Sequence, residues 1–136
     1  MQQRTLGVTL LEIMLVLAIA AMIIVMSVRY FQTSSTANQA NAFITTMNGI
    51  TAAADTISQA SGTYASTTSA SLKGIAGNGI FYLPWGGSAT ITSSTNSYVV
   101  TTPNMPDAVC KMVQSRMQNN AHYILGANCA SYTYTP

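Results

Sequence analysis

The chain has 136 residues, 49% of them hydrophobic and only 6% charged, with a formal net charge of +2. With a membrane-length segment set aside, about a hundred residues remain, room for one modest domain and none for a second, enzymatic one. The basic residues Arg4, Arg29, Lys73, Lys111 and Arg116 are scattered, so nothing tracks a phosphate backbone and no specific nucleic-acid site is expected.

A short polar head, residues 1–7, leads into Val8-Thr9-Leu10-Leu11-Glu12 and then into an unbroken apolar run over residues 13–26. As helix at roughly 1.5 Å per residue, residues 8–28 would extend about 31 Å, which matches a bilayer's hydrocarbon core. Glu12 stands at the threshold of this run. A carboxylate costs about 2.5 to 3.5 kcal/mol at mid-bilayer on insertion scales, so its presence implies a function. Beyond Arg29 the chain turns polar without a proline as far as residue 60, and Phe43, Met47, Ile50, Ala54 and Ile57 recur at spacings of 4, 3, 4 and 3. That is the stripe of an amphipathic helix. One continuous helix is expected over residues 8–59, roughly 78 Å long, ending at Ser61-Gly62.

Residues 62–79, rich in Ser, Thr, Ala and Gly, read as a long loop with room for a short helical or strand piece. Alternation then predicts strands over residues 80–83 and 89–92, flanking Pro84-Trp85-Gly86-Gly87, and over 98–102 after Ser93-Ser94-Thr95-Asn96. Pro103 and Pro106 bracket a break. A helix of about three turns is expected next, with Val109, Cys110, Val113 and Met117 on one face, Asp107 in its first turn and Arg116 near its end, as the helix dipole favours. Residues 121–125 and 131–135 are candidate final strands around Gly126-Ala127-Asn128.

The chemistry is sparse. One histidine, His122, and three acids, Glu12, Asp55 and Asp107, are far apart in sequence. His122 lies in a strand-like alternation with no second imidazole or carboxylate placed to orient it, and reads as a sheet-surface residue. The chain is therefore expected not to be an enzyme, and to hold neither a metal nor another cofactor. Gly77-Asn78-Gly79 is too short for a phosphate loop and reads as a turn. Cys110 and Cys129 are not a CxxC pair. In a domain delivered outside the cytoplasm they are most economically one disulfide, stabilising by about 3 kcal/mol in the chain-entropy model; two free buried thiols are the alternative.

Three readings fit the N-terminus. A cleaved secretory signal would use the small-x-small run at Ala18-Ile19-Ala20, but the apolar run continues past it and contains Glu12 at its start. A plain single-pass anchor explains the length and leaves Glu12 unpaired in lipid. The third follows from local sequence: Gly7-Val8-Thr9-Leu10-Leu11-Glu12, behind a short head with Arg4 and ahead of an apolar helix, resembles the class III signal of type IV prepilins. The resemblance implies cleavage after Gly7 by a membrane-embedded prepilin peptidase, N-methylation of Val8, and Glu12 as the fifth mature residue. Val8 replaces the phenylalanine usual in the type IVa branch, and the leader is shorter than most type IVb leaders.

The likeness extends over essentially the whole chain. It implies an α+β type IV pilin fold: a long N-terminal helix, transmembrane in its first half and amphipathic in its second, packed on a small antiparallel sheet with a second short helix and a Cys110–Cys129 disulfide. The expected segments are a leader (1–7), a transmembrane and assembly helix (8–28), the amphipathic half (29–60) and a globular region (61–136). Trp85-Gly86-Gly87, the strand 98–102 and Pro106-Asp107-Ala108-Val109-Cys110 look most like the type IVb branch of toxin-coregulated, bundle-forming and thin conjugative pilins. The implied function is the structural subunit of a pilus. It would be held in the bacterial inner membrane as precursor, then extracted by an assembly platform and motor into an extracellular helical homo-oligomer for adhesion, aggregation or conjugative contact. Glu12 would pair across subunits with the amine of Val8. The alternatives are a minor pilin, a type II secretion pseudopilin, or a single-pass membrane-anchored binding module. Orientation rests on more than charge, because Arg4 at one end of the span is offset by Arg29 at the other.

Overall fold

A computed structural model describes the backbone over residues 5–136 and side chains over 9–136. The expected leader at 1–7 and the expected cleavage pair Gly7 and Val8 lie outside the fully described residues. In chain order the elements are α1 (Thr5–Ser61), α2 (Ser69–Ala76), β1 (Thr90–Ser93), β2 (Tyr98–Thr101), α3 (Asp107–Met117), β3 (Tyr123–Leu125) and β4 (Ser131–Tyr134). They fall into two compact units, Met1–Ser35 and Thr36–Pro136, and the division lies inside α1.

Over its described residues the first unit is helix alone. It supplies the one helix among the described residues that is long and apolar enough to cross a membrane, with none of its most apolar window buried. Leu11, Met14, Met22 and Met26 are each at least two-thirds exposed. Ser27 and Thr33 turn their hydroxyls back onto the carbonyls of Ile23 and Arg29, at 2.8 and 3.0 Å. Such back-bonding lets a hydroxyl sit on a helix without an outside partner.

In the second unit α1 buries Ala40, Phe43, Met47, Ile50, Ala53 and Ala54, the predicted stripe widened by two alanines. Asn41, Thr45, Asn48, Ala52 and Thr56 face outward. The helix stops where Gly62, at φ +78°, donates its N–H to the Ser58 carbonyl at 2.7 Å, the left-handed glycine that closes a helix C-terminus.

The stretch expected as a loop is more ordered than its composition suggests. Tyr64–Ser66 forms a 3-10 turn, and α2 follows. Thr68 caps α2 by accepting the Ser71 N–H at 3.2 Å, and Leu72 is its buried residue. The strand expected over 80–83 is corrected: Asn78–Phe81 is a 3-10 turn, and only Tyr82 bridges, to Ser88. The cause is the tight reversal at Pro84-Trp85-Gly86-Gly87, where Gly86 and Gly87 sit at φ +98° and +86°. The Phe81 carbonyl accepts from Ala89 at 2.7 Å and Leu83 donates to Gly87 at 3.1 Å, which uses up the pairing that a longer strand would need. β1 begins one residue later than expected, and the later strands are shorter by one or two residues at their ends.

The sheet is fully antiparallel in the order β1-β2-β4-β3. Register places Ser93, Tyr98, Tyr134 and Tyr123 in one row across it, and Ile91, Val100, Tyr132 and Leu125 in the next. These rows face the core, where Tyr98, Val100 and Tyr132 are fully buried beside Phe43, Met47 and Ile50 of α1. β4 reaches the middle of the sheet only because α3 carries the chain over and β3 returns it. At the β3–β4 connection Gly126 donates to the Ser131 carbonyl at 2.8 Å, and a Cβ at this position would collide with the Ser131 hydroxyl. Cys110 of α3 and Cys129 of that connection are bonded, with Cα atoms 5.7 Å apart.

Two buried threonines differ in one respect. The Thr102 hydroxyl donates to the Cys129 carbonyl at 2.8 Å, whereas the Thr67 hydroxyl, equally enclosed, has no partner. Orphaning a buried polar group costs about 1 to 3 kcal/mol, while deleting one that is already orphaned removes that cost. Thr102→Val should therefore lower the denaturation midpoint, and Thr67→Val should leave it unchanged or raise it, measured on the detergent-solubilised chain.

Candidate functional site

The N-terminal unit presents its one carboxylate outward. Glu12 is exposed on a face of α1 shared with Thr9, Ile13, Val16 and Leu17, none of them cationic. The proposed processing residues Gly7 and Val8 are outside the fully described residues, so Glu12 is the member of the predicted assembly set that the structure locates. Apolar side chains surround it along the helix, with Leu10, Leu15 and Ile19 each more than half exposed. A charge so placed has two chemical outlets: water at a membrane boundary, or a cation brought by another molecule.

Several polar residues of the second unit are engaged locally. Asp55 accepts the Tyr64 hydroxyl at 2.8 Å, and Asp107 sits in the first turn of α3 where the helix dipole favours it. His122 lies just before β3. Its Nδ1 is 3.0 Å from the Thr135 carbonyl, and its ring centroid is 5.9 Å from that of Tyr134. The Lys73 ammonium stands 5.8 Å from the Phe81 ring centroid. Arg116 donates to the Asn41 side-chain carbonyl, tying α3 to α1. Among the described residues no three His, Cys, Asp or Glu side chains gather as a metal site would require.

Sequence reasoning missed the hub of this unit, Thr51. Its hydroxyl donates to the Met47 carbonyl at 3.0 Å and accepts from the Tyr98 hydroxyl at 3.0 Å. The Tyr123 hydroxyl is its third partner. A hydroxyl has one proton and two lone pairs, so with the proton committed to Met47 both phenols must donate. Around the hub, Tyr98 stacks on Tyr134 at 4.9 Å, Tyr64 lies 5.7 Å from Tyr98, and Tyr123 lies 5.2 Å from Tyr134. The signal in the sequence was faint: Thr51 is four residues beyond Met47, on the flank of the stripe.

Burial holds these phenols neutral. Tyr64 is pushed up to about 12, first by burial and then by its hydrogen bond to Asp55. Tyr98, Tyr123, Tyr132 and Tyr134 are also raised, chiefly by burial.

No family model, curated protein or solved structure matches the chain. The architecture carries the comparison instead: a long N-terminal helix, apolar in its first part, whose second part packs on a four-stranded antiparallel sheet with a short further helix. This is a type IV pilin-like fold.

A phenol whose folded pKa lies above the ordinary value of 10.0 keeps its proton in the folded state after the unfolded chain has lost it. Its contribution to stability is thus whole below that ordinary value and is lost as pH rises through the folded one. Tyrosinate absorbance for the buried rings should appear together with loss of the folded circular dichroism signal, in one alkaline transition. Thr51→Val, which leaves two buried donors without an acceptor, should cost about 1 to 3 kcal/mol per donor and move that transition to lower pH.

Proposed function

We propose that this chain is the structural subunit of a type IV pilus of the type IVb kind. It is cut after Gly7 by prepilin peptidase, N-methylated at Val8, and polymerised through its N-terminal helix. The observation that supports this reading best is Glu12, a single exposed carboxylate on an apolar face of α1, within the Gly7-Val8-Thr9-Leu10-Leu11-Glu12 pattern. The precursor waits in the bacterial inner membrane with its head on the cytoplasmic side. An assembly platform and motor then draw it into a helical homo-oligomer outside the cell.

Pairing gives the polymer its register. Drawing Glu12 from the edge of the membrane into a packed apolar bundle is unfavourable unless an opposite charge meets it. The methylated amine of Val8 on a neighbouring subunit supplies that charge and fixes the stagger, while Leu10, Leu11, Ile13, Leu15, Leu17, Ile19, Ile23 and Ile24 supply non-directional packing. Ser, Thr and Asn are prominent among the outward residues of the second unit and charges are few, which permits close approach between filaments. Adhesion, cell aggregation or conjugative contact are the uses this suits.

Glu12→Val should insert and be processed yet yield few filaments, judged by the amount of surface-sheared pilin; normal yields would remove Glu12 from the mechanism. Intact-mass measurement of the sheared material should give the chain from Val8 onward with one added methyl group and Cys110–Cys129 oxidised. A dominant band of that mass identifies a major pilin, and a trace amount a minor one. Gly7→Glu should accumulate at precursor mass, because a side chain at that position obstructs close approach of the peptidase.

A further inference from the structure

On the reading that the precursor resides in a bilayer, we infer that Arg29, Tyr30 and Phe31 form an interfacial collar that binds the headgroup layer and fixes the depth of α1. The polarity of the helix changes within a few residues. Residues 13–26 are all apolar, Ser27 bonds back to Ile23, and Val28 is the last aliphatic before Arg29; Gln32, Thr33, Ser34 and Ser35 follow. Between these stretches stand a cation and two aromatic rings, Tyr30 78% and Phe31 74% exposed.

Successive residues on a helix are turned by about 100°, so the three side chains surround most of its circumference rather than marking one face. A core residue of the protein would be covered on its own unit, and these are not. Their combined rise is about 3 to 5 Å, comfortably within a headgroup layer of roughly 5 to 7 Å per side. Tyrosine at such a depth keeps its ring in the acyl boundary and its hydroxyl in water, and an arginine reaches lipid phosphate. The partner chemistry is therefore an anionic or zwitterionic phosphodiester headgroup beside acyl chains.

The collar has a consequence for Glu12. From Arg29 back to Glu12 is 17 residues, about 25 Å of upright helix. With the collar fixed at one boundary of a core of roughly 30 Å, Glu12 lies just inside the other, within side-chain reach of water. The charge is kept at the shallow edge until a neighbour's amine replaces the water. Arg29, which opposes the orientation set by Arg4, serves in this account as a phosphate ligand.

The test uses the full-length chain in vesicles of phosphatidylcholine and phosphatidylglycerol carrying brominated acyl chains. Trp85→Phe removes the native indole, and Phe31→Trp or Leu17→Trp supplies a single reporter. Phe31→Trp should be quenched most by bromines near the carbonyls and Leu17→Trp most by bromines near the chain ends. If Leu17→Trp is quenched at neither depth, the helix is not in the bilayer and the underlying reading fails together with the collar. If Leu17→Trp is deep while Phe31→Trp is unquenched, or loses its shielding when the protein is diluted with lipid, the helix inserts but the collar is wrong, and a second copy or water covers Phe31. A conservative check adds Tyr30→Ser with Arg29→Gln to the Leu17→Trp chain: its reporter should shift in depth if the collar holds, and an unchanged depth overturns it.

Discussion

The second unit depends on one contact, the seating of Phe43 on the sheet. Its ring lies 5.1 Å from that of Tyr132 and 5.4 Å from that of Trp85, so one helix residue touches both the central strand β4 and the reversal before β1. A sheet of three- and four-residue strands needs its hydrophobic face covered to be stable in water. α1 supplies the apolar surface that closes one side of it, from Ala40 to Ala54. Trp85 is held in turn by its indole N–H, which donates to the Pro103 carbonyl at 3.1 Å. The segment on either side of β1 and β2 is thereby pinned to the same helix turn.

The sheet order is a second constraint. β4 sits between β2 and β3, so the C-terminal strand has two neighbours, as β2 does, while β1 and β3 take the edges. A strand that arrives last in the chain and lies centrally needs its entry point fixed. The Cys110–Cys129 bond does this by tying the turn before β4 to α3, and the Thr102 hydroxyl secures the same turn through the Cys129 carbonyl. Asn128 and Cys129 adopt φ of +55° there, a conformation that surrounding bonds must hold.

What could be read in the chain follows physical range. The stripe through Phe43, Met47, Ile50 and Ala54 was legible because it is set by helix period, a local property, and the helix end at Gly62 because glycine's freedom is local too. The strand expected over residues 80–83 was not legible correctly: alternation at Ile80-Phe81-Tyr82-Leu83 looks the same whether the residues pair in a ladder or fold into a 3-10 turn. Gly77 at φ +86° and the glycine pair after Trp85 decide it by turning the backbone at both ends. Thr51 was invisible for the opposite reason. Its role comes from Tyr98 and Tyr123, 47 and 72 residues away, and no local pattern announces a partner at that distance. The N-terminal motif was legible as sequence, whereas the partner it implies belongs to another molecule.

Acids are scarce in this chain. The described residues contain three, and two have local partners: Asp55 accepts from Tyr64, and Asp107 meets the N-terminal dipole of α3. Only Glu12 sits among apolar neighbours on its own face. Such a charge costs about 2.5 to 3.5 kcal/mol at the centre of a hydrocarbon layer unless another group compensates it. The residues that share its helix face offer Glu12 no cation, whereas the second unit joins two phenols to the Thr51 hydroxyl within one chain.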